Sequence, residues 1–414
     1  MALTRRKAVL MAAGSALTAQ DLPLNLRETG NADAGSLFPL IESLAPTAYT
    51  HSFLHPQWTS PAEHRQAALQ VLEQALSYKP ARVPLQPELV RREDLGDIIR
   101  EKILFSTSAQ TRIPAFLHLP KNLGSNKLPA VVDLHSHGGL FIYGKEKVID
   151  FGPEGNSETL TKYHAANYES RPTATALARR GYVVLTIDAF PFGERRLILD
   201  DDLVKYGYDR SKYSTADLNA LNQRCRQKES TIVKSLAYAG ITWPGIVAWD
   251  DMRSVDYLIS RPEVDAARIG CVGVSLGGYR SLLLAGLDDR IAAGCVVGFM
   301  STVRPMIRKH MDTHSFVHFI PGIHSKLDLP DVVALRIPKP LLVLQCRRDG
   351  LFPISGMQES VDKLAAIYRK AGAPDGAFSS KFYDVPHIFN IAMQNDAFAW
   401  LDQRLKPGSD RRLQ

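Results

Sequence analysis

Gly273-Val274-Ser275-Leu276-Gly277 sets a serine between two glycines. It follows the apolar run Arg268 to Val272 and precedes a helical pattern that opens Gly277-Gly278-Tyr279. A sharp strand-to-helix turn forces the serine into a strained conformation with its hydroxyl exposed, and the flanking glycines relieve the crowding. The helix start behind it directs free N–H groups and a positive dipole end at developing negative charge. The chemistry such a residue does is nucleophilic attack, with Ser275 as nucleophile. A serine hydroxyl is a poor nucleophile without a base. His387, in Val385-Pro386-His387-Ile388, follows the last strand candidate, Lys381 to Tyr383. It therefore belongs in a loop at the carboxyl edge of the sheet, where the serine turn also sits. Asp349, in Cys346-Arg347-Arg348-Asp349-Gly350, lies just past another strand. A carboxylate there can accept the proton-bearing nitrogen of His387, fix its tautomer and stabilise the imidazolium. Each residue has a plain alternative: an incidental serine in a glycine-rich helix start, a solvated loop histidine, an Asp-Gly turn. Asp384 is the rival acid, but it stands three residues from His387 and is poorly placed to reach back. Asp188 precedes the serine turn and reads as structural.

Acyl transfer also needs donors for the oxyanion. The N–H of Leu276, directly after the nucleophile, is one. The second is expected from His135-Ser136-His137-Gly138-Gly139, the loop after the apolar run Ala130 to Leu134. Two registers are open, one offering the His137 N–H and the other that of Gly139; the first is preferred. The side chains of His135 and His137 brace the loop. His310, His314 and His318 recur every four residues and could share a helical face. No H-E-x-x-H pattern accompanies them, so they are expected to line the pocket or its mouth rather than hold a metal.

The elements that must position these residues alternate. Ile113 to Leu119, Ala130 to Leu134, Tyr182 to Ile187, Arg268 to Val272, Ala292 to Val297 and Leu341 to Gln345 read as strands. Near-continuous apolar runs mark parallel strands covered on both faces. Helices fit over Ala174 to Arg180, Trp249 to Ser260, Gly277 to Ala285, Gly356 to Ala371 and Ile388 to Leu405. The pattern predicts an α/β fold with a mostly parallel, doubly wound sheet over residues 99–408. Two long excursions, 190–245 and 299–337, exceed ordinary connections and are expected to shape the active-site mouth. Residues 36–98 read as a helical N-terminal extension. Ser60-Pro61-Ala62-Glu63 is a capping box, and Leu69, Leu72 and Leu76 follow at helical spacing.

With 45% hydrophobic and 22% charged residues, disorder and fibrous folds are excluded. The net charge of +7 is scattered, without the basic stripe of a nucleic-acid binder. Of the four cysteines, Cys271, Cys295 and Cys346 fall in strand-like apolar runs. Cys225 lies outside them, and no CxxC pair exists. At the N-terminus, Thr4-Arg5-Arg6-Lys7 precedes the short apolar stretch Ala8 to Ala19. Residues 1–19 thus have the parts of an export signal of the twin-arginine kind. The stretch is too short to span a bilayer. Export to the periplasm or beyond is the expectation; a basic helix of a cytoplasmic protein is the alternative.

The order Ser275, Asp349, His387 is that of α/β hydrolases. Gly273 to Gly278, His135 to Gly139, Asp349-Gly350-Leu351-Phe352-Pro353 and His387 together resemble the dienelactone-hydrolase and acetylxylan-esterase branch of that superfamily. Asp188-Ala189-Phe190-Pro191-Phe192-Gly193-Glu194 and Arg261-Pro262-Glu263-Val264-Asp265 add to the likeness, which covers roughly residues 99–405. The resemblance implies the α/β-hydrolase fold, ester hydrolysis through an acyl-serine intermediate, and no cofactor. Dienelactone hydrolases proper use a cysteine nucleophile; Ser275 favours a carboxylesterase. The expected substrates are short-acyl esters, including those of acylated carbohydrates; the oligomeric state is left open. The alternatives are a peptidase resembling the prolyl-oligopeptidase catalytic domain and a binding module that keeps the fold without catalysis.

Overall fold

The computed structural model describes residues 31–121, 126–207 and 212–406. The expected export signal, residues 1–19, lies outside them. Nine strands form one sheet: β1 (Glu88–Asp94), β2 (Ile98–Ser108), β3 (Thr111–Pro120), β4 (Leu128–Leu134), β5 (Val183–Ile187), β6 (Val264–Val274), β7 (Ile291–Val297), β8 (Leu341–Cys346) and β9 (Phe378–Tyr383). Their order is β1-β2-β3-β5-β4-β6-β7-β8-β9. The pairings from β1 to β5 are antiparallel and all those from β5 onward are parallel.

The longer helices are α1 (Phe38–Leu44), α2 (Pro61–Leu76), α3 (Glu158–Tyr168), α4 (Thr173–Arg179), α5 (Thr215–Gln227), α6 (Glu229–Tyr238), α7 (Trp243–Ser260), α8 (Leu276–Leu287), α9 (Ile354–Lys370) and α10 (Ile391–Leu405). Side chains alternate across the pleat. Ala130, Val132, Leu185, Cys271 and Val343 pack with α7, α8 and α9 on one face. Val131, Val184, Val272, Cys295 and Leu342 pack with α4 and α10 on the other. All four cysteines are buried and unpaired. No helix among the described residues is long and apolar enough to cross a membrane.

Two expectations need correction. Residues 36–98 are not helical throughout: helix is confined there to Gly35–Leu44 and α2, and Glu88–Asp94 is a strand. The reason is exposure. Glu-Leu-Val-Arg-Arg-Glu-Asp pairs on one side only, at the sheet edge, with nearly every side chain in solvent. Such a strand carries no apolar alternation, and its charges blunt the open edge. In addition, α7 starts at Trp243, capped by the Thr242 hydroxyl and with Pro244 in its first turn, so the first excursion ends inside a core helix. The first excursion is itself largely helical, including α5 and α6, and the second holds only helices of a turn or two such as Arg304–Arg308 and Leu329–Ala334.

Candidate active site

Register brings the carboxyl ends of the central strands together: Leu134 pairs with Gly273, Val274 with Val297 and Val297 with Leu344. Ser275 follows β6 directly and caps α8 with φ 61 and ψ −124. A left-handed conformation on a non-glycine residue costs on the order of 1–3 kcal/mol and persists only where its surroundings enforce it. The enforcement is visible. The Ser275 N–H donates to the Val297 carbonyl (3.0 Å) and the Tyr279 N–H to the Ser275 carbonyl (2.9 Å). The turn admits no side chain beside it. A Cβ on Gly277 would strike the Leu134 carbonyl, and one on Gly278 that of Val297.

His387 lies beyond β9, its ring over Gly298. Its Nδ1 and Oδ2 of Asp349 are 2.6 Å apart. Asp349 Oδ1 accepts the Leu351 N–H (2.9 Å), and the carboxylate has no exposed surface. Nε2 of His387 is buried and has no hydrogen-bond partner among the described residues. The rival Asp384 instead points into solvent, 79% exposed, and pairs with Arg348 (3.0 Å). Ser275 and His387 line one cavity of about 530 Å³.

The loop after β4 forms another wall of that cavity, through Ser136, His137, Gly138 and Gly139. The Gly139 N–H is turned inward and donates to Nδ1 of His137 (3.0 Å). Several buried or half-buried groups that the sequence pattern did not single out brace this loop. Lys147 Nζ donates to the carbonyls of Ser136 (3.0 Å) and His137 (2.9 Å). Burial pushes its ammonium well below the ordinary range, with Asp188 and Glu146 acting the other way. Asn222 of α5 grips the loop from outside, donating to the Gly139 carbonyl (2.7 Å) and accepting the Phe141 N–H (2.5 Å). Arg280 makes a two-pronged buried bond to Asp251 (3.0 and 2.6 Å) and reaches the His135 carbonyl (3.4 Å). His135 is itself structural, its Nε2 accepting the Ala189 N–H (3.1 Å). The only sequence signal for these braces is a polar residue inside an apolar helix or loop, and that names no partner.

Asp188 anchors the chain after β5, bonded to the Lys145 ammonium (2.7 Å) and to the N–H groups of Lys145 (2.8 Å) and Glu194 (2.9 Å). Glu146, Asp188 and Glu194 could together ligate a cation. The Lys145 ammonium occupies their centre, within 3.2 Å of all three. The three histidines at four-residue spacing do not share a straight helix. Helix breaks after Arg308, His310 takes φ 80, and His318 closes a one-turn 3₁₀ helix. His314 and His318 line the cavity; His310 contacts the Gly350 carbonyl instead (3.2 Å).

A serine strained at a strand-to-helix elbow, at the carboxyl edge of a mostly parallel sheet flanked by helices, defines an α/β hydrolase. The chain belongs to the abhydrolase family, whose model matches residues 151–411. It is 28% identical over 299 residues, 72% of this chain and 85% of the relative, to YtaP of Bacillus subtilis, itself described as a proposed hydrolase. Among solved structures, a proposed acetyl xylan esterase from Bacteroides fragilis superposes with a TM-score of 0.62 at 20% identity. That match covers 89% of this chain and 87% of the other. A glucuronoyl esterase from Solibacter usitatus gives 0.59 at 16% identity, over 88% and 99%. At these identities the likeness is one of fold.

Proposed function

We propose that the protein is a serine carboxylesterase acting on short-acyl esters of carbohydrates. The observation that carries this is the pairing of His387 with the buried Asp349 (2.6 Å) in a cavity that also holds the strained Ser275. Asp349 holds the His387 proton on Nδ1, so Nε2 is the free base. As Ser275 Oγ bonds to the ester carbonyl carbon, His387 Nε2 takes the hydroxyl proton. The tetrahedral intermediate then collapses, and the alcohol leaves with that proton. Water attacks the acyl-serine, His387 takes its proton and returns it to Ser275, and the carboxylic acid departs. The oxyanion is held by the Leu276 N–H and, on this reading, the His137 N–H. The Gly139 N–H is engaged inside its own loop, which favours the His137 register. Two supports bear on the substrate: the fold neighbours named as acetyl xylan and glucuronoyl esterases, and the polar residues of the excursions around the cavity.

The experiment is labelling with a fluorophosphonate probe, followed by a matched screen of esters and amides. Wild type is expected to label, Ser275→Ala not to, and esters to be preferred. An unlabelled wild type would return the molecule to a non-catalytic binding role. A preference for amides would make it a peptidase.

A further inference from the structure

Phe316 sits at the mouth of the same cavity, opening the one-turn helix Phe316–His318, with 43% of its surface exposed. A phenyl ring left in water forgoes the stabilisation of burial. Its backbone is nonetheless pinned. Glu229, the first residue of α6, accepts the Ser315 hydroxyl (2.6 Å), and its carboxylate faces the Phe316 N–H. Phe319 is also exposed, its ring centre 6.5 Å from that of Phe316. An aromatic face is thus held in place and left uncovered on the wall shared with Ser275 and His387.

The rim beside it is polar. Arg226 and Gln227, at the end of α5, and Asp312, from the second excursion, line the cavity. Among the described residues their side chains form no hydrogen bond or close ion pair, and the Arg226 charge acts on nearby Glu229 without direct contact. An apolar face beside unengaged donors and acceptors matches one ligand chemistry well. A pyranose ring presents C–H groups on its face and hydroxyls around its edge. A long acyl chain would cover Phe316 but desolvate the rim groups without pairing them, which is costly.

We propose that Phe316 is the stacking platform of a sugar subsite, receiving a pyranose ring of the ester substrate. Arg226, Gln227 and Asp312 engage its hydroxyls, and Glu229 is a positioning residue that holds the platform. The placement of that ring next to a scissile ester rests on the esterase reading of Ser275; the binding of the sugar does not.

Calorimetry on Ser275→Ala with xylotetraose and cellotetraose tests the binding. One of the two is expected to bind. Adding Phe316→Ala should weaken it roughly tenfold, and Phe316→Trp should restore it. Adding Glu229→Ala should weaken it too, whereas Glu229→Gln, whose amide oxygen still accepts the Ser315 hydroxyl, should weaken it less than Glu229→Ala. Kinetics supply the second arm. Phe316→Ala is expected to lower kcat/KM on acetylated xylotetraose or cellotetraose about tenfold more than on 4-nitrophenyl acetate, through KM. Failure of both sugars to bind, binding indifferent to Phe316, or equal losses on both kinds of ester would overturn the proposal. If no ester is turned over at all, the esterase reading falls, and calorimetry still decides the subsite.

Discussion

Asp349→Asn replaces an acceptor that faces two donors. In the native site Oδ2 meets the Nδ1–H of His387 at 2.6 Å and Oδ1 meets the Leu351 N–H at 2.9 Å. An asparagine that keeps its oxygen on Leu351 turns its NH2 group toward His387. Two donors cannot face each other, so the imidazole must move its proton to Nε2. On the proposed mechanism that is the nitrogen which receives the Ser275 proton. Flipping the amide restores an acceptor for His387 but sets NH2 against the Leu351 N–H. With the site fully buried, that costs about 1–3 kcal/mol. The first arrangement disables the base; the second is held back by that cost and lacks the carboxylate charge that stabilises the imidazolium, and in both the chain stays folded. The expected loss in kcat is about 10⁴-fold. The assay is kcat and kcat/KM on 4-nitrophenyl acetate, with thermal unfolding alongside to show an intact fold. Asp384→Asn, which alters only a solvent-exposed pair with Arg348, should stay within about twofold of wild type. A loss below roughly tenfold for Asp349→Asn, or a larger effect from Asp384→Asn, would refute the tautomer argument.

Asp251→Ala strands the fully buried Arg280 guanidinium. It should lower stability by about 3–5 kcal/mol in urea unfolding; a change under about 1 kcal/mol would mean that the pair is replaceable. Burial raises the Asp133 carboxyl from 3.8 to about 7, partly offset by a hydrogen bond from Thr173 and the charge of Arg280. Its contribution to stability is therefore fully present below the unfolded value and lost as the pH rises through about 7. Asp133→Asn should flatten that slope in unfolding measurements across the range, and an unchanged slope would assign it to other groups. Among 4-nitrophenyl esters, kcat/KM should be greatest for acetate; a steady climb to octanoate would exclude a short-acyl pocket. Protein exported by a bacterial host should have lost its N-terminus near Ala19 and should stay inside when Arg5 and Arg6 are replaced. Mass spectrometry that finds Met1 on exported protein would contradict the leader.

Legibility in the sequence followed how local the constraint is. The elbow could be read because its strain must be relieved within a few residues, by Gly273, Gly277 and Gly278. Asp349 and His387 could be read because each follows a strand, and strands of a parallel sheet end on the same edge. The strand β1 could not: with one side unpaired and its side chains in solvent, Glu88–Asp94 offers no hydrophobic period to detect. The braces of the β4 loop were equally silent. Lys147, Asn222 and Arg280 act across 10, 83 and 145 residues of chain, and nothing near them in sequence says where their partners are. Glu229 looks like an ordinary helix-opening acid until Ser315, 86 residues away, is placed beside it. The oxyanion register is open in the sequence for the same reason, since the proposed choice of His137 over Gly139 rests on which way the Gly139 N–H turns.

The strand order makes the molecule hard to divide. The family match begins at residue 151, after β4 has ended at Leu134. In the sheet, however, β5 lies between β3 and β4, and β4 lies between β5 and β6. A chain cut at that boundary gives an N-terminal piece whose β3 and β4 are not neighbours, and a C-terminal piece with an open slot between β5 and β6. Neither half has a continuous sheet, and the half that keeps Ser275 has lost the loop that faces it. The two pieces mesh like the teeth of a zip. That makes this junction unsuitable for a minimal catalytic fragment and suitable for a two-part reporter, whose signal, on the proposed esterase activity, would appear only when the halves are brought together.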